Sequence, residues 1–406
     1  MDDLHSAIVA AFEKGLDPFR LATALINRKA AEQGLVFSKR HLKKIEACLR
    51  AQEMHDFVVR MPGSGPPREF TIELDHSDLQ EVERQVESLT ERMPDMMRDL
   101  CDAVAADLLV TLTNTWPREA THQQREERQF RSALHRKWDV PFRLLGMLIT
   151  IARGIGGTLN GELRDEGDPK LLNTVEVLTR FQARACQVAS EILTLLQGGF
   201  ADGALARWRT LHEISVLAVF VHAHGESAAE SFFAYQPLEK ARAAEEYQRS
   251  CAALGYESLS RAELESISKR AELAWRRFGR HSKEDYGWAA PFLAKDCRPS
   301  FRALQESVGL RHLRPFYKMA SDNVHTTPKG LAFALGLVCD ERFLLAGPST
   351  VGLADPGQLT GLSLSHVTII LLGLRPTLDS AVASKIVLKL VGEVAEAFCN
   401  VEADAP

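Results

Sequence analysis

The seven cysteines of the chain, at 48, 101, 186, 251, 297, 339 and 399, include no C-x-x-C pair. Neither a zinc knuckle nor a disulfide framework is therefore expected, and the thiols read as reduced. Charge of one sign is not in excess: 49 Lys and Arg against 54 Asp and Glu leave a net charge of -5. That balance excludes a uniformly basic nucleic-acid coat while leaving room for a local basic groove. Long apolar runs are also missing. Ile214–Val221 and Val367–Leu374 are the longest, well short of the roughly 20 residues that cross a bilayer. The opening Met1-Asp2-Asp3-Leu4-His5 starts on acids and lacks an export signal, so a cytoplasmic location is the expectation. No P-loop, dinucleotide fingerprint, H-E-x-x-H or D-x-D pair occurs, and neither a metal nor a cofactor is expected.

What the chain does have is helix formers. It is 45% hydrophobic, 25% charged and only 7% aromatic over 406 residues, with Ala, Leu, Glu and Arg prominent. Helical spacing recurs almost throughout, which predicts an all-α fold, a multi-helix bundle. The exception is the turn sequence Pro62-Gly-Ser-Gly-Pro-Pro67 between two extended runs, which predicts a small β-hairpin over about 56–74. Residues 1–76 read as a small N-terminal helical module carrying that hairpin, a unit suited to a protein partner. Residues 77–128 read as a long helical connector, in which Ser77 and Gln80 suggest a capping box. Residues 129–406 read as the main helical domain, with Gly154-Ile-Gly-Gly157 as a helix stop and Asp202 capping a helix that runs to Gly225.

That last helix holds the most informative residues. Ala204–Val221 is apolar on nearly every side and should be buried, yet it carries Arg207, Arg209, His212 and Glu213. Buried charges are costly unless paired. Arg209 shares a face with His212 and Glu213 at spacings of three and four, whereas Arg207 points away. The group is either a structural ion pair or the lining of a cleft. A second stripe, Tyr317, Ser321 and His325, recurs every four residues on another helix and ends where Thr327-Pro328 breaks it. An imidazole at a helix C-terminus is stabilised as the cation and titrates near neutrality. The third candidate is Trp275–Trp288, where Arg276, Arg277, Arg280 and Lys283 alternate with rings that include Trp288. Cations interleaved with flat rings suit a single-stranded RNA backbone and its bases.

The segment Gln197–Glu213, with Asp285-Tyr-Gly-Trp288 and the Tyr317-x-x-x-Ser321-x-x-x-His325 stripe, resembles a bacterial family of unknown function, number 5677 among such domains, over about residues 115–345. The pair Arg207 and His212 also resembles the R-x4-H signature of HEPN-type ribonucleases. That resemblance implies a metal-independent homodimeric endoribonuclease, acting as a toxin or antiviral defence effector. In such an enzyme His212 would be the general acid or base and Arg207 would clamp the phosphate, with Arg209 and Glu213 beside them at the centre and Tyr317, Ser321 and His325 in support. On a regular helix, however, five residues rotate Arg207 about 140° from His212. The alternative is a non-catalytic helical sensor, adaptor or nucleic-acid-binding scaffold.

Overall fold

The computed structural model describes residues 17–51, 72, 75–337 and 344–403. Among them every regular element is a helix and none is a strand, so the all-α reading holds. The hairpin expected at 56–74 lies outside the described residues, apart from Ile72. The chain divides into two compact units, Met1–His122 and Gln123–Pro406.

The first unit contains α1 (Pro18–Glu32), α2 (Lys39–Ala51) and the beginning of α3 (His76–Glu166). Asp17 caps α1, accepting from the Phe19 N–H at 3.1 Å, and Pro18 takes the first helical position, where no donor is needed. Ser38 caps α2 through the His41 N–H. Leu25, Ala30, Leu35 and Ile45 are the buried apolar residues of this part of the unit. At the start of α3 the cap is Asp75 rather than Ser77: its carboxylate accepts from the Ser77 N–H at 2.8 Å and the Asp78 N–H at 3.1 Å. Asp78 is ion-paired with Lys29 of α1. The helix continues through Trp116-Pro117 and departs from helical geometry only at Trp138 (φ -109°, ψ 15°).

The second unit consists of the rest of α3 followed by α4 (Leu172–Gln197), α5 (Ala201–Ser250), α6 (Arg261–Phe278), α7 (Phe301–Ser307), α8 (Arg314–Val324), α9 (Pro328–Ala332), α10 (Ala354–Gly373) and α11 (Leu378–Ala403). Short 3-10 turns at Gly279–Lys283, Gly287–Phe292 and Arg311–Leu313 join the middle elements. Helix α5 is central, with α4, α6, α8 and α10 all packed on it. Its apolar residues are buried on most sides, as Trp208, Leu211, Phe220 and Val221 illustrate. Two buried indole nitrogens find acceptors: Trp208 Nε1 donates to the Leu359 carbonyl at 3.0 Å, and Trp138 Nε1 donates to the Thr350 carbonyl at 2.9 Å.

Two glycine positions behave differently from one another. The run at 154–157 does not stop α3, which continues to Glu166. An interior glycine costs only about 1 kcal/mol, and at Gly156 it serves packing, because a Cβ there would lie 2.8 Å from Gln182 Cγ. The buried Gln182 amide occupies that space and donates to the Ala152 carbonyl at 2.8 Å. Gly225, with φ 63° and ψ -148°, does break α5. Immediately after the break the Glu226 carboxylate accepts from the backbone and side chains of Asn173 and Thr174 at the start of α4, at 2.7–2.9 Å. By length and composition alone, a stretch within 91–166 could cross a bilayer; 33% of its apolar window is buried inside the protein.

Candidate functional site

The sequence places Arg209, His212 and Glu213 on one face of α5, and the structure separates them by depth. His212 is 0% exposed. Its ring stacks on Trp208 at 5.0 Å and meets Phe301 and Tyr317 at 5.9 Å. Its Nε2 lies 2.9 Å from the side-chain amide nitrogen of Gln305, which also donates to the Leu310 carbonyl at 3.2 Å. An amide nitrogen only donates, so His212 Nε2 must accept, and its proton sits on Nδ1, which has no partner. Burial, reinforced by His366 and His312 nearby, pushes the His212 imidazole down to about 4. It is a neutral core residue at neutral pH.

Arg207 lies on the other side of the helix. It pairs with Glu191 of α4 and reaches Thr210 Oγ1 at 3.3 Å. The 140° divergence therefore holds, and the R-x4-H pair does not converge within one chain.

A different set of residues does converge, at the half-buried edge between α5 and α8. Arg209 Nε donates to Glu213 Oε1 at 3.1 Å, and its guanidinium lies 5.1 Å from the Tyr317 ring centroid. The Tyr317 hydroxyl donates to the same carboxylate oxygen at 2.6 Å. Arg209 Nη1 is 3.4 Å from Nε2 of the exposed His325. Burial and the bond to Glu213 push the Tyr317 hydroxyl up to about 12, so it stays protonated as the donor. Burial also raises Tyr286 beside this group, with Glu213 and Tyr317 adding to the effect. For Arg209, burial works against the cation, but Tyr317 and Glu213 outweigh it and hold the charge. Ser321 sits one turn away on α8; its carbonyl accepts from the His325 N–H at 3.0 Å, and among the described residues its hydroxyl bonds to no site side chain.

All of these residues fall within one recognised segment. Residues 175–342 match the model of a family of unknown function, DUF5677. The match is narrower than the span suggested by the sequence and holds both halves of the cluster, Arg209 with Glu213 and Tyr317 with His325. No curated protein and no solved structure matches the chain.

Within this family segment the expected RNA-binding stretch does not form a stacking surface. Trp288 is 3% exposed, with its ring edge-on to Phe220 and Phe232 and its carbonyl bonded to Ser231 at 2.8 Å. It offers no face to a base, which corrects the sequence-based expectation. Arg276 and Arg277 are paired with Glu272 and Glu230, and Arg280 donates to the His281 ring at 3.1 Å. Lys283 is exposed, as is the ring of Trp275 at 55%. Two surface grooves, one lined by Ala244, Leu264 and Ile267 and one by Val140, Leu144 and Val401, border none of the converging residues. Among the described residues no three His, Cys, Asp or Glu side chains gather as a metal site would require.

Gln305 and Phe301 complete the surroundings, and the sequence did not single them out; Tyr286, from the Asp285-Tyr-Gly-Trp288 landmark, packs against Phe301 at 6.2 Å. No local pattern marks Gln305; its role arises because α7 brings it over His212.

Proposed function

We propose that this chain is a non-catalytic α-helical binding module, a sensor or adaptor. Its ligand site is the Arg209–Glu213–Tyr317–His325 cluster, and His212 is part of its core. The observation that carries this reading is the complete burial of His212. A general base has to come within hydrogen-bond reach of the proton it removes, and the Gln305 amide already occupies that position. Arg207, bound to Glu191 on the far side of α5, would clamp no phosphate that His212 could reach.

The test is incubation of purified protein with end-labelled tRNA and single-stranded RNA in EDTA, beside folded Arg207→Ala, His212→Phe, Arg209→Gln and His325→Gln proteins. No cleavage by wild type is expected. Cleavage that Arg207→Ala and His212→Phe both abolish would overturn the reading and restore the R-x4-H site.

One observation favours a second reading, metal-independent RNA cleavage at a different pair. Exposed His325 lies 3.4 Å from a guanidinium. There, His325 would take the 2′-hydroxyl proton as the O2′–P bond forms. Arg209 would offset the charge on the phosphorane, and the P–O5′ bond would break with water protonating the leaving oxygen. The chain would then be an endoribonuclease of toxin or defence type. In the same assay, cleavage would be lost in Arg209→Gln and His325→Gln but retained in His212→Phe.

A further inference from the structure

The chemical class of the ligand follows from how Arg209 and His325 meet. Arg209 can only donate. Its Nη1 faces His325 Nε2 at 3.4 Å, so in this contact the imidazole nitrogen can serve only as the acceptor. The guanidinium is held in place by Glu213 on one edge and by the Tyr317 ring on one face, so its remaining N–H groups are presented in a fixed fork. His325 follows the last residue of α8, and its backbone N–H closes onto the Ser321 carbonyl at 3.0 Å. If the ring takes up a proton, its acceptor becomes a second donor beside the guanidinium.

We infer that Arg209 and His325 together form the binding site for a phosphomonoester dianion. This inference rests on the cluster being a ligand site rather than a nuclease centre. A single carboxylate is a weaker match, because Glu213 already supplies one to Arg209. A group with two negative charges and three acceptor oxygens uses both the guanidinium and the newly formed imidazolium. The titratable and charged side chains around this cluster are Arg209 and Glu213 of α5, Tyr317 of α8, and Tyr286 and Asp285 from the segment between α6 and α7, with Asp202 of α5 reached from the end of α8. Asp202 is engaged by Asn323 and by the Leu335 N–H.

The test is calorimetric titration of the full chain with phenyl phosphate, dimethyl phosphate and acetate between pH 5.5 and 8.5. One saturable phenyl phosphate site is expected. Its affinity should fall roughly tenfold as the pH is raised across this range, because imidazoles lose their charge there. His325→Gln should weaken binding and flatten the alkaline limb, and His325→Arg should restore affinity without the pH dependence. Arg209→Gln should abolish binding. Tighter binding of dimethyl phosphate or acetate would overturn the monoester assignment, as would a pH profile that His325→Gln leaves unchanged. Absence of saturable binding by phenyl phosphate would overturn it as well. RNA cleavage, by contrast, would overturn the binding-module reading itself, so the two failures are distinguishable.

Discussion

The burial of His212 sets a measurable acid dependence of stability. In the folded protein its imidazole is pushed down to about 4, whereas an unfolded histidine titrates near 6.5. The unfolded chain therefore binds the proton first, and lowering the pH favours unfolding. Above about pH 6.5 both states are neutral at this position and it contributes no slope. Between about 6.5 and 4 stability falls by up to about 1.4 kcal/mol per pH unit, and below 4 the loss levels off near 3 kcal/mol. At pH 4.5 the loss from His212 alone is about 2.5 kcal/mol. His212→Phe removes the titration and the unpartnered Nδ1–H while keeping a flat ring against Trp208, and Gln305 retains its bond to the Leu310 carbonyl. Urea unfolding followed by circular dichroism at pH 7.5 and pH 4.5 should show wild type losing about 2.5 kcal/mol more than His212→Phe between the two. His366, also lowered by burial, titrates in both proteins and largely cancels in the comparison. An equal loss in the two proteins would refute the reasoning, as would an imidazole resonance for residue 212 that titrates near pH 6.5.

Two further outcomes follow from the packing. Trp288→Ala should cost about 3–5 kcal/mol and lower the melting temperature, so any accompanying loss of RNA affinity would be a stability effect; Lys283→Ala, at an exposed position, should leave stability within about 0.5 kcal/mol of wild type. Glu226→Gln should destabilise the start of α4 at neutral pH. Although burial opposes it, the bonds from Asn173 and Thr174 hold the Glu226 carboxyl below the usual carboxylate range. Its stabilisation is thus present above the unfolded carboxylate range and lost as the pH falls through the folded value. Amide exchange at Asn173 and Thr174 should accelerate in the variant and, in wild type, with acid.

The helical character of the fold was written in the chain, because periodicity and helix formers are local signals. The central burial of α5 was legible for the same reason: apolar residues surround Ala204–Val221 on nearly every side. The pairing of Arg209 with Glu213 followed from their spacing of four, and the divergence of Arg207 from His212 followed from the helical pitch. What spacing could not reveal was depth. His212 and Arg209 share a face, but only the packing of α7, with Gln305 and Phe301, decides that one is sealed and the other half-open. Trp288 misled for a related reason, since composition alone does not separate a ring that stacks on bases from one that fills a core. The glycines at 154–157 misled because a glycine that ends a helix and one that admits a neighbouring side chain look alike until Gln182 is seen against Gly156.

Gly225 has a consequence for how this molecule tolerates change along its length. In an unbroken helix each inserted or deleted residue rotates everything beyond it by about 100°. Had α5 been continuous, a single length change after Phe220 would have swung Tyr235 and Leu238 out of the core. The left-handed backbone at Gly225 and the anchoring of Glu226 on Asn173 and Thr174 reset the phase instead. The two halves of α5 therefore do not share one helical phase. The half that bears Arg209 and Glu213 is held by α4, α8 and α10, and the half running to Ser250 is held separately, by Ser231 on Trp288 and Tyr235 on the 279–284 turn.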